Sequence, residues 1–138
     1  MRPHDPEKLA PVLVHDLQHQ FMIPQAAVRI WDVAPELAHL PCAAEVSDDV
    51  KIFATSLVAP YCGANSGFEA AGWFENPDSV MSLALIPLRP DRQHTAFGLL
   101  ALGSPDPTRY TADMGIEFLA QVGDIAGAAL TRLLAPQA

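Results

Sequence analysis

Basic residues are scarce and scattered. Of 138 residues only 8 are Lys or Arg against 16 Asp or Glu, a formal net charge of −8, and Lys8, Arg29, Lys51, Arg89, Arg92, Arg109 and Arg132 fall on different segments. Phosphate backbones are held by clustered Lys and Arg, so nucleic acid is not an expected partner. Cysteine is also rare. Cys42 and Cys62 are the only two, and a lone bridge in a chain with no export signal is not expected, so both read as free thiols. No apolar run approaches the ~20 residues a membrane-spanning helix needs, and Met1–Asp5 has no apolar core of the signal-peptide kind. The expectation is a globular cytoplasmic chain with no membrane partner. A glycine-rich phosphate loop, a G-x-S-x-G elbow, a CxxC pair and an internal repeat are all missing, so no catalytic residue, metal or cofactor is implied.

Apolar residues are plentiful, at 50% of the chain. That fraction over 138 residues supports one domain with a real core, residues 1–138, with an N-terminal helix over 5–21 and a core over 26–134. The most legible stretch runs from Ser79 to Leu134. Val80–Leu88 and Ala96–Gly103 read as two strands of a hairpin, bounded by Pro90-Asp91 and by Gly103-Ser104-Pro105-Asp106-Pro107. In the second strand Phe97 and Leu99 share one face and Leu100 and Leu102 the other, the pattern of a strand covered on both sides. Pro87 must sit where a missing N–H does no harm.

A helix follows, with Thr111 as its N-cap and Asp113 and Glu117 near its positive end. Glu117, Gln121, Asp124 and Thr131 form one polar line. Met114, Phe118, Val122, Ile125, Ala129 and Leu133 form an apolar face, and Ile116, Gly123, Gly127, Leu130 and Leu134 a second one. One sheet cannot bury both arcs, so the helix needs another partner. Gly123 and Gly127 each cost about 1 kcal/mol against Ala in a helix interior, which suggests a close backbone approach. Together with Leu13 and Leu17 of the N-terminal helix, Gly123, Gly127, Leu130 and Leu134 are the expected interface of a homodimer.

Toward the N-terminus, Leu9, Val12, Leu13, Leu17 and Phe21 line one side of a helix that starts at either Pro6 or Pro11. His15 and His19 are spaced to share a metal, but no third ligand is evident and an exposed histidine pair is the plainer reading. Ala27–Trp31 reads as a strand that puts Arg29 and Trp31 on the face opposite Val28 and Ile30. Arg29 then faces a pocket, or packs its stem under the sheet edge and reaches water. Cys42–Val46 is a candidate edge strand. Ser47 caps a helix carrying Val50, Phe53, Ala54, Leu57 and Val58, which Pro60 stops. Tyr61–Asp78 reads as a long irregular connection holding Cys62, Glu69, Trp73 and Phe74.

The residues Phe97-Gly98-Leu99-Leu100-Ala101-Leu102-Gly103-Ser104, then Arg109-Tyr110-Thr111, Asp113 and Phe118 to Leu130, resemble the C-terminal half of a GAF domain. More narrowly, Val28–Asp32, Pro60–Gly63, Ala84–Leu88 and Leu102–Pro107 are similar to an uncharacterised bacterial family, number 484 of the domains of unknown function. The resemblance covers about residues 20 to 134. That family carries an additional helical N-terminal segment for which this chain is short, implying a shortened form. The implied fold is α+β and GAF-like, related to the PAS and profilin folds. It has a central antiparallel sheet of five or six strands, with the N- and C-terminal helices packed together on one side. The implied function is a non-catalytic regulatory or signalling module. A small ligand would lie between the sheet face of Arg29 and Trp31 and the Tyr61–Asp78 segment, which makes Arg29, Trp31, Cys62, Glu69, Trp73 and Phe74 the candidate binding residues. The alternative is a filled cavity in a domain that serves only to dimerise or to contact an unknown protein partner. Some free-standing GAF proteins reduce methionine sulfoxide through thiols, and Cys62 invites that comparison. Nothing near Cys62 in sequence is basic enough to activate it, so a buried structural cysteine is the default.

Overall fold

In a computed structural model the described residues are 6–31, 33–37, 39–64, 69–89, 95–110 and 117–133. The elements run α1 (Pro6–Phe21), β1 (Gln25–Ile30), α2 (Asp48–Ser56), β2 (Tyr61–Ala64), β3 (Ser82–Leu88), β4 (Gly98–Ser104) and α3 (Glu117–Leu130), with single 3-10 turns between them. The four strands form one antiparallel sheet in the order β1-β4-β3-β2. Among the described residues this is fewer than the five or six expected. The missing strand is the one read at Cys42–Val46, where Pro41–Ala43 closes a 3-10 turn instead.

The apolar hairpin is the centre of the sheet. All seven residues of β4 are buried, because α-helices cover one face and α2 with the 3-10 turn Glu69–Trp73 covers the other. β3 pairs with β4 along its full length, from Ser82 opposite Ser104 to Leu88 opposite Gly98. Pro87 is tolerated because β2 pairs with β3 only as far as Leu85, so its missing N–H leaves no β2 carbonyl unpaired. β2 itself corrects the expectation of an unbroken irregular connection from Tyr61. Cys62 and Gly63 pair with Ala84 and Leu83.

The helix layer explains how most of the described residues in both arcs of α3 are buried in one chain. Leu119, Val122, Ala126, Leu130 and Leu133 share a cluster with Ala10 and Leu17 of α1 and with Ile86, Leu88, Leu100 and Leu102 of the sheet. The second partner of α3 is therefore α1. Gly123 and Gly127 face β3, where a Cβ on Gly123 would come within 2.6 Å of Ile86 Cγ2 and one on Gly127 within 3.0 Å of the Arg89 carbonyl oxygen. The close backbone approach signalled by the two glycines is real, but it is made to the chain's own sheet. Of the residues expected at a dimer interface, Leu17, Gly123, Gly127 and Leu130 are buried within the chain and Leu13 is half-buried. Leu134 lies outside the described residues, as do Thr111 and Ile116. Ile125, expected in the core, is instead 56% exposed.

The helix ends follow local chemistry. α1 starts at Pro6, keeps Pro11 inside, and ends with Met22 at φ 55° and the Ile23 N–H bonded to the Gln18 carbonyl at 3.0 Å. This is a left-handed termination of the Schellman type. Ser47 caps α2 by accepting the Val50 N–H at 3.2 Å. α2 ends at Ser56, so Val58 is fully exposed and does not continue the apolar stripe.

Candidate functional site

The face of β1 and β4 opposite the terminal helices holds Ala27, Leu99 and Ala101. Above them lie Val50 and Ala54 of α2, with Ala70, Ala71, Phe74, Val80 and Leu83. Most of the cavity expected between this face and Tyr61–Asp78 is thus filled by the chain's own side chains. Phe74 is buried against Gly103, where a Cβ would meet its ring at 2.9 Å, so Phe74 is a packing residue and Gly103 is the small residue it needs. Glu69 is tied to the start of α2: its carboxylate accepts from Ser47 Oγ at 2.7 Å and from the Ser47 N–H at 3.3 Å.

Arg29 and Trp73 meet. The guanidinium carbon lies 5.3 Å from the Trp73 ring centroid, a cation–π contact, while Nη1 donates to the Val28 carbonyl at 3.1 Å. Burial lowers the Arg29 pKa, with an opposing contribution from Cys42. Arg29 is therefore engaged at the sheet edge, the plainer of its two sequence readings. Cys62 is separated from all these residues. It sits in the helix-side cluster with Ala84 and Tyr110, on the other side of the sheet.

Open space remains at the outer end of β1. A groove of about 430 Å³ is lined by Ile30, Trp31, Val33, the stretch Ala43 to Val46, and Lys51. Trp31 is half-buried and its indole N–H is held by the Ala96 carbonyl at 3.0 Å, so the ring is fixed and presents surface without a free donor. Sequence reasoning identified Trp31 but missed Val33, Glu45, Val46 and Lys51. In sequence Lys51 is only one of the dispersed basic residues, and the docking of α2 over the sheet brings it to the groove.

The remaining candidates are structural. Cys42 and Cys62 are free and buried, and loss of hydration raises the pKa of each. A nucleophilic thiol needs the opposite shift. The His15 and His19 rings stack with centroids 6.4 Å apart, and no group of three or more His, Cys, Asp or Glu side chains suited to a metal occurs among the described residues. No helix among them is long and apolar enough to cross a membrane.

An antiparallel sheet with terminal helices on one face and short connecting helices on the other is the architecture of a GAF domain. The chain is similar to the crystallised GAF domain assigned to a sensor histidine kinase of Pseudomonas syringae pv. tomato, with a TM-score of 0.51 and 18% identity over 91% of this chain and 75% of that one. The chain belongs to DUF484, a family of proteins of unknown function whose model matches residues 15–135. No curated protein matches it.

Proposed function

We propose that the protein is a non-catalytic regulatory module of the GAF type that takes a small molecule in the groove beside Trp31. The observation that carries this is the contrast within one face of the sheet. Its centre is filled by Phe74, Leu83 and Leu99, whereas its outer end keeps an open, tryptophan-walled space of about 430 Å³. Small-molecule sites occupy roughly 300–1,000 Å³. Raised thiol pKa values and the absence of a motif for nucleophilic chemistry support a binding role over a catalytic one.

Native mass spectrometry of freshly purified protein tests this reading directly, because it reports any retained small molecule. Tryptophan fluorescence locates it: a bound molecule should change the emission of wild type and of Trp73→Phe, and leave Trp31→Phe unchanged. Signal retained in Trp31→Phe and lost in Trp73→Phe would move the site to the other side of Arg29.

Pairing of two copies through α1 and α3 is a second reading, favoured by Ile125, which is more than half exposed in the middle of α3. Such a dimer would use Ile125 with the half-buried Leu9, Val12 and Leu13, not the glycines. Light scattering at tens of micromolar, with Ile125→Glu as the disrupting variant, decides between dimer and monomer.

A further inference from the structure

Resting on the groove reading, we propose that the ligand is a small aromatic anion, its ring laid against Trp31 and its carboxylate or equivalent oxyanion paired with Lys51. The first ground is charge. Lys51 is the only cationic side chain among the described residues lining the groove, and it is half-buried. Among the described residues no hydrogen bond or ion pair engages its ammonium. In a chain with 16 acidic residues and 8 basic ones, Lys51 has no carboxylate partner among the described residues. An ammonium at the wall of a groove attracts an incoming anion, and the partly buried Lys51 stem fixes where that charge is presented. Glu45, the only carboxylate among the described residues at the groove, is exposed, so it can turn away from the ligand.

The second ground is the shape and chemistry of the wall. The Trp31 N–H is already committed to Ala96, so the indole offers flat apolar surface for stacking and no polar handle. Val33, Ala43, Ala44 and Val46, together with Ile30 of β1, complete the lining as apolar residues. Arg29, the other cation nearby, does not compete because its guanidinium is held by Trp73 and Val28. A space of about 430 Å³ has room for a ligand of one or two rings.

The test uses the full chain and four probes: benzoate, 1-naphthoate, benzamide and benzylamine. Binding is read by two-dimensional NMR shift changes at the Trp31 indole N–H and at the amides of residues 43–51. Benzoate and 1-naphthoate should bind, with 1-naphthoate tighter; benzamide should bind at least about tenfold more weakly than benzoate, and benzylamine more weakly still. Lys51→Gln should weaken benzoate about tenfold, and Lys51→Arg should restore most of it, with unchanged amide spectra elsewhere certifying the fold. Equal binding of benzamide and benzoate, or an unaltered benzoate affinity in Lys51→Gln, overturns the anion assignment and leaves the groove reading standing. A retained molecule in native mass spectra that is neutral or cationic does the same. Failure of all four probes to shift the groove residues at millimolar concentration overturns the assignment, and an empty native mass spectrum with it removes the groove reading as well.

Discussion

The carbonyl oxygen of Arg89 lies 3.0 Å from the point a Cβ on Gly127 would occupy, so α3 rests directly on the backbone where β3 ends. A backbone oxygen cannot move aside as a side-chain tip can. Gly127→Leu is therefore expected to lower folding stability by about 1–3 kcal/mol through overpacking, despite the better helix propensity of leucine. Urea unfolding measures it. The loss should be the same at every protein concentration, whereas a loss that appears only where the wild type is oligomeric would return Gly127 to an interface between copies.

The same Arg89 caps another helix with its side chain. Its Nη2 lies 2.8 Å from the Thr55 carbonyl, 3.0 Å from that of Leu57 and 3.4 Å from that of Ala54, at the C-terminal end of α2. A cation there both bonds orphan carbonyls and complements the helix dipole. Arg89→Ala should cost about 1–2 kcal/mol and speed amide exchange in the last turn of α2. Arg89→Lys should recover part of the stability, since the charge is kept and the planar fork is lost.

Met22 holds φ 55° while 81% exposed, a conformation a side chain disfavours in exchange for almost no burial. Met22→Gly should raise stability by roughly 0.5–1 kcal/mol. The thermal midpoint of the two proteins checks it.

Alkali should destabilise the fold through its buried acids. Loss of hydration raises the pKa of Cys42, Cys62 and Tyr110, and Tyr110 keeps its hydroxyl buried with no bonding partner among the described residues. Below about pH 8.5 the thiols are protonated in both states and add no pH dependence. Above it the unfolded chain releases its protons first, so stability falls as pH rises toward the raised folded values. Urea midpoints measured from pH 7 to 10 should decline, and the decline should be shallower in Cys42→Ala and in Cys62→Ala. A slope the two variants leave unchanged would mean the thiols titrate normally in the folded state.

The hairpin β3–β4 was legible because its residues are apolar on both faces, and that pattern has one structural meaning when turn formers bound it. α1 and the Ser47 cap were legible for a similarly local reason. β2 was not, since Tyr61-Cys62-Gly63-Ala64 is short, glycine-bearing and paired with residues 20 positions away. Gly123 and Gly127 show a different limit. Glycine in a helix signals that some backbone comes close, but the pattern does not say whose. Lys51 and Arg89 stand in sequence only among the scattered basic residues, and their environments come from the docking of α2 against β3 and β4. Within the candidate site, Trp31 was found from strand alternation. The groove wall from Ala43 to Val46 was not, because the sequence from Cys42 to Val46 suggests an edge strand.

The contact between Arg29 and its own backbone bears on how the protein stays dispersed. β1 is an outer strand, and because the Trp31 N–H bonds the Phe97 carbonyl at 2.8 Å, positions of that parity pair with β4 and the Val28 carbonyl points outward. An outward carbonyl on an edge strand is an invitation to a strand from another molecule. The Arg29 guanidinium occupies that carbonyl and sets a charge beside it, held in place by the Trp73 ring. In Arg29→Leu the Val28 carbonyl loses this donor and the edge gains an apolar side chain, so turbidity should grow with concentration under conditions where the wild type stays clear. A residue whose sequence context suggests ligand recognition is then a guard against fibrillar self-association.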